Sequence, residues 1–220
     1  MSFNPSSSDS VDNSETAGIG NQQSTPTTLS GLVRVGQIIS FAMVTGVITI
    51  SVVFAMLLLK REEPPHDDVM LVALGGGVFV MALGSAFFLW MTLRSAAVTK
   101  LHRHPEVAEL LSGGAAASQS ARDAWENWDQ DEALPPPLRP FLGAMQTSCL
   151  VAQAVLEGAA IANLVLALID GNALHFVFVL FSLVGIAALT PTTGKMRGHI
   201  RAALSLREES GDGFPNVLKH

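Results

Sequence analysis

Four long apolar segments dominate this chain of 220 residues, and the third carries a carboxylate, Glu157, near its middle. Lipid offers no hydrogen bonds, so a segment crosses it only if its backbone groups are satisfied internally. Four such runs therefore predict an all-α polytopic membrane protein, a bundle of four transmembrane helices. The carboxylate needs a separate reason, since an acidic side chain at the bilayer centre costs about 2.5–3.5 kcal/mol on insertion scales.

The spans are read at about 35–59, 69–93, 141–169 and 174–189. Arg34 and the pair Lys60-Arg61 bracket the first, and Arg94 closes the second. Pro64-Pro65 separates spans one and two, and Pro135-Pro136-Pro137 announces span three. Asp170-Gly171-Asn172 reads as a tight turn with a left-handed glycine, making spans three and four a close hairpin. Around them the sequence divides into a Ser/Thr-rich tail over 1–30, predicted to be disordered, and a first hairpin over 31–95. A loop over 96–140, a second hairpin over 141–191 and a basic juxtamembrane segment over 192–220 follow. The tail lacks the basic start and apolar run of a signal peptide, so the first span is expected to act as an uncleaved membrane signal.

Within the loop, the second helix is expected to continue to His102, with helical turns at 105–111 and 118–131 and a flexible joint at 113–117. After span four, Met196, Ile200, Ala203 and Leu204 recur at helical spacing among Lys195, Arg197, Arg201 and Arg207. That pattern fits a basic amphipathic helix lying on an anionic leaflet, or a plain extension of span four.

Charge sets orientation. Eleven of the thirteen Lys and Arg fall on the side of the termini and the long loop, leaving Lys60 and Arg61 opposite. The positive-inside rule then predicts that both termini are cytoplasmic. Charged residues make up 15% of the chain and the net charge is −6, without the concentrated basic face of a nucleic-acid binder. The lone Cys149 excludes an intramolecular disulfide and reads as a buried packing residue.

Candidate functional residues lie inside the apolar spans. Gln146, Cys149, Gln153, Glu157 and Ala160 fall at steps of three or four and share one face of span three. Gly158 follows Glu157 and invites close helix approach. Asn163 lies about a quarter-turn away and reads as a separate contact. Gln37, Ser40 and Ser51 give span one a weakly polar seam, and Ala73, Gly77 and Gly84 give span two a small-residue stripe. Span three packed against these faces would turn Glu157 towards protein. His66 and His175 stand too far out to pair with it. Two roles follow for Glu157: a hydrogen-bonding group that fixes helix packing, or a carboxylate that exchanges H⁺ or Na⁺ with Gln153 as co-ligand.

Other chemistry is sparse. His102-Arg103-His104 lacks further ligands for a metal, Gly75-Gly76-Gly77 lacks the Lys-Ser/Thr of a phosphate loop, and the loops hold no nucleophile–base–acid set. No enzyme, cofactor or metal is expected. The expected partners are the lipid bilayer, further copies of the chain and a cytoplasmic protein meeting the 96–140 loop.

Two resemblances attach to these residues. Arg34-Val35-Gly36-Gln37-Ile38-Ile39, Gln153-Ala154-Val155-Leu156-Glu157-Gly158-Ala159-Ala160 and Pro191-Thr192 resemble a family of small bacterial four-helix inner-membrane proteins. The likeness covers most of 32–207 and implies architecture and a bacterial inner-membrane location, with no assigned activity. Gln153 to Leu168 is similar to the ion-carrying helix of the rotary ATPase proteolipid (subunit c) class. That likeness implies Glu157 as ion carrier and Gln153 as co-ligand; the first hairpin carries no comparable carboxylate, and a long loop replaces the proteolipid's short polar one.

Overall fold

A computed structural model describes residues 28–61, 69–112 and 133–211. The tail before residue 28, the 62–68 connection, the 113–132 stretch with Trp125 and Trp128, and the segment after 211 lie outside the described residues.

Every element among the described residues is helical, apart from an isolated antiparallel bridge between Thr28 and Ala133. The helices are α1 (Leu29–Leu59), α2 (Val69–His102), α3 (Pro105–Ser112), α4 (Leu138–Asp170), α5 (His175–Ala188) and α6 (Thr193–Gly211). Thr28 starts α1 by accepting a hydrogen bond from the Gly31 amide at 3.1 Å. Gly171 ends α4 in the left-handed region, with φ 75° and ψ 8°, and its amide donates to Ala167 O.

Three helices, α1, α2 and α4, are long and apolar enough to cross a membrane. Their 31, 34 and 33 residues exceed the ~20 that about 30 Å of hydrocarbon requires, so each is long enough to cross it with residues to spare. The 14 residues of α5 reach only about 21 Å, less than the apolar thickness. It becomes a fourth candidate span only together with α6, and the two helices meet at a 68° bend. The architecture is thus an all-helical bundle with three to four candidate membrane-crossing helices.

The hub of the bundle is α4. It packs on α2, α5 and α1, and buried positions recur along its whole length from Leu138 to Asp170. Large apolar side chains on the other helices point outward instead, among them Phe41, Met81, Phe88 and Leu180. Such a belt would precipitate a soluble protein and is what hydrocarbon covers. At the end where α6 lies, Leu29, Leu32, Leu101, Leu138, Phe141, Met145, Met196 and Ile200 form one large cluster. The apolar stripe of α6, with Met196, Ile200, Ala203 and Leu204 all buried, faces this cluster. The segment is helical as expected, its apolar stripe is taken up by the bundle, and the 68° bend means that it is not a straight extension of α5.

The predicted helix faces are also corrected. Gly77 and Gly84 are exposed, with nothing near the space a β-carbon would fill. The face that α2 turns inward carries Gly75, Ala86, Ala97 and Leu101, and α4 is long enough to engage all of it. Gln37 is exposed as well, and its neighbour Gly36 makes the contact. A β-carbon on Gly36 would come within 2.5 Å of Pro191 Cγ and 2.7 Å of Gln146 Nε2.

Candidate functional site

Mid-bundle, Gln153 links three helices. Ser40 Oγ of α1 donates to Gln153 Oε1 at 3.0 Å, and Gln153 Nε2 donates to Ile186 O of α5 at 3.0 Å. Gln153 and Ser40 are both buried. An amide offers an acceptor and a donor at fixed separation, so one side chain can tie two neighbours at once.

A second network lies at the α4–α5 turn. Asp170 Oδ1 accepts from the Asn172 amide at 2.7 Å, and Asn172 Oδ1 accepts from the Leu174 amide at 2.9 Å. These side-chain turns shape the link and deliver His175, the first residue of α5, back over α4. There His175 Nε2 lies 2.9 Å from Asp170 Oδ2, and Nδ1 lies 3.2 Å from Asn163 Oδ1. All three side chains are buried. Asn163 Nδ2 donates to Gly75 O of α2 at 3.3 Å and to Ala159 O at 3.0 Å.

Proton positions follow from this geometry. Two backbone carbonyls can only accept, so the Asn163 amide nitrogen must face them and its oxygen must face His175. Nδ1 of His175 therefore donates. Its Nε2 then either donates to an Asp170 carboxylate or accepts from a protonated Asp170. In both cases the pair has zero net charge, the arrangement a water-poor interior tolerates best. Gly75 makes the site possible: a β-carbon there would stand 2.5 Å from Asn163 Oδ1 and 2.6 Å from His175 Nδ1. Close by, Arg61 Nη1 donates to Leu168 O and Ile169 O at 3.1 and 3.3 Å, meeting the open carbonyls at the α4 C-terminus.

Glu157 stands apart from both networks. Four residues advance about 400° round a helix, which turns it about 40° from Gln153. It is half-buried, beside the exposed Ala154, Gly158 and Ile161, and has no hydrogen-bond or ion-pair partner among the described residues. Gly158 has open space where a β-carbon would go. Gln153 has both ends of its amide engaged elsewhere, so the structure does not join it to Glu157 as a co-ligand. Gln146 and Cys149 are buried, with Gln146 against Gly36.

The Asp170–His175–Asn163 network is absent from the sequence expectations. Its signal was there: an Asp-Gly-Asn turn followed by His, an Asn two turns upstream, and a glycine run in the neighbouring span. Among the described residues, no group of three or more His, Cys, Asp or Glu could hold a metal ion. No protein-family model, curated protein or solved structure matches this chain.

Proposed function

We propose that the chain is a multi-pass membrane protein of structural or interaction type, in which Glu157 is kept for a contact outside the chain. One observation carries this reading. The amide of Gln153 is engaged between α1 and α5, while half-buried Glu157 has no partner among the described residues and sits on an outward stripe with Ala154 and Gly158. A carboxyl facing hydrocarbon gains most from a hydrogen bond across a helix interface, and small neighbours let a partner helix approach. A second copy of the chain supplies such a contact symmetrically, carboxyl to carboxyl.

In this reading both termini and the 96–140 loop face the cytoplasm of a bacterial inner membrane, on the strength of the Lys/Arg distribution and the four-helix family resemblance. The loop meets a soluble partner, and the chain catalyses no reaction. The competing reading makes Glu157 an H⁺- or Na⁺-exchanging carboxylate.

One experiment separates the two: labelling of Glu157 by a hydrophobic carbodiimide in membranes across pH, with and without Na⁺, beside oligomer sizing of Glu157→Gln. Labelling indifferent to Na⁺ and pH, with a weakened oligomer in the variant, is the expected result. Protection by Na⁺, or labelling that falls as pH rises, with an unchanged oligomer would establish ion exchange instead.

A further inference from the structure

Between α2, α4 and α5 runs a groove of about 220 Å³ lined only by apolar groups. Small residues open it: Ala86 on α2, Ala152 on α4 and Gly185 on α5 leave a slot between Leu83, Leu156 and Leu189. Gly185 is required, because a β-carbon there would come within 2.8 Å of Leu156 Cδ1.

One end of the slot is built differently. Trp90 lines it, and the Arg94 guanidinium lies over the Trp90 ring at 5.2 Å from the ring centroid. The bend between α5 and α6 brings two further nitrogen bases to the same place. The His199 ring is 6.5 Å from Trp90. Lys195 Nζ holds Ala188 O at 2.6 Å and Thr190 O at 3.0 Å, and Ala188 is itself a wall of the slot. No carboxylate pairs with Arg94, Lys195 or His199 among the described residues.

An apolar slot capped by clustered cations and an indole describes one ligand chemistry. We infer that this groove binds an anionic glycerophospholipid, with an acyl chain along the slot and the headgroup phosphate among Arg94, Lys195 and His199. Tryptophan is enriched at the headgroup boundary of membrane proteins, and basic pockets between membrane helices recognise anionic headgroups. Lys195 and Arg94 supply the charge; Leu83, Phe87 and Leu156 supply the chain contact.

The inference rests on the chain lying in a bilayer, and its test separates the two failures. The full chain with Trp125→Phe and Trp128→Phe, leaving Trp90 as its one indole, is placed in phosphatidylcholine nanodiscs. Brominated-chain phosphatidylglycerol or brominated-chain phosphatidylcholine is then added at equal mole fraction. Trp90 should be quenched at a several-fold lower fraction of the anionic lipid. That preference should fall on the order of fivefold for each cation removed in Arg94→Gln and Lys195→Gln. It should survive Arg94→Lys with Lys195→Arg, which keep the charge. Equal quenching by both lipids, or an undiminished preference in the double Gln variant, overturns the site. Loss of the preference on adding soluble glycerol phosphate would show a free-phosphate site and overturn the lipid assignment. A chain that does not enter nanodiscs at all overturns the membrane reading, and this inference with it.

Discussion

Asp170 Oδ2 and His175 Nε2 lie 2.9 Å apart with both side chains completely buried, five residues apart across a glycine turn. Neither group could remain there alone. An unpaired buried charge is far costlier than a pair, and each partner also anchors a second bond, Asp170 to the Asn172 amide and His175 to Asn163. The pair therefore does two things at once: it closes the α4–α5 hairpin and, through Asn163, fastens it to the backbone of α2 at Gly75.

Breaking the pair one side at a time tests this. Asp170→Ala and His175→Ala should each cost about 3–5 kcal/mol, because each strands a buried polar partner. The double variant should fall short of their sum by a coupling of roughly 1–3 kcal/mol. Denaturant titration of the purified protein in detergent measures all three. Additive losses would mean that the two side chains do not act as a unit.

Neighbouring glycines should behave oppositely. Gly75→Ala forces a β-carbon into Asn163 and His175 and should destabilise by about 1–3 kcal/mol. Gly77→Ala enters open space and removes a helix-weakening glycine, so it should be neutral or stabilising by up to about 1 kcal/mol. Thermal melts of the two variants side by side decide it. Equal effects would contradict the placement of α2.

Two polar residues four apart on α4 should also diverge. Gln153→Leu removes the link to Ser40 and leaves Ile186 O without that donor; a loss of about 1–2 kcal/mol is expected. Glu157→Gln should leave the melting temperature of the dilute, dissociated chain unchanged, since no bond within the described residues is lost. A large intrinsic loss for Glu157→Gln would place its partner inside the chain.

Hydropathy alone made the apolar helices and the three to four candidate membrane spans legible, because the cost of burying polar backbone and side chains in lipid acts on each segment separately. Pro135 to Pro137 and Asp170-Gly171-Asn172 marked their boundaries for a similarly local reason. A proline lacks the amide that continues a helix, and a glycine adopts φ 75° without strain. Which face of each helix turns inward was not legible. In a span that is apolar all round, the contrast between faces is small, so Gly77 and Gly75 read alike until α4 packs against one of them. The roles of Gln153 and Glu157 were equally undecided, since about forty degrees of helix rotation separates a side chain that bonds two neighbours from one that meets none among the described residues. The sequence by itself determined the apolar helices and the turn between α4 and α5. Only tertiary packing, which brings Gly75, Asn163, Asp170 and His175 together, decided where the buried polar groups find partners, because hydrogen bonds of that kind depend on ångström-level geometry between segments far apart in the chain.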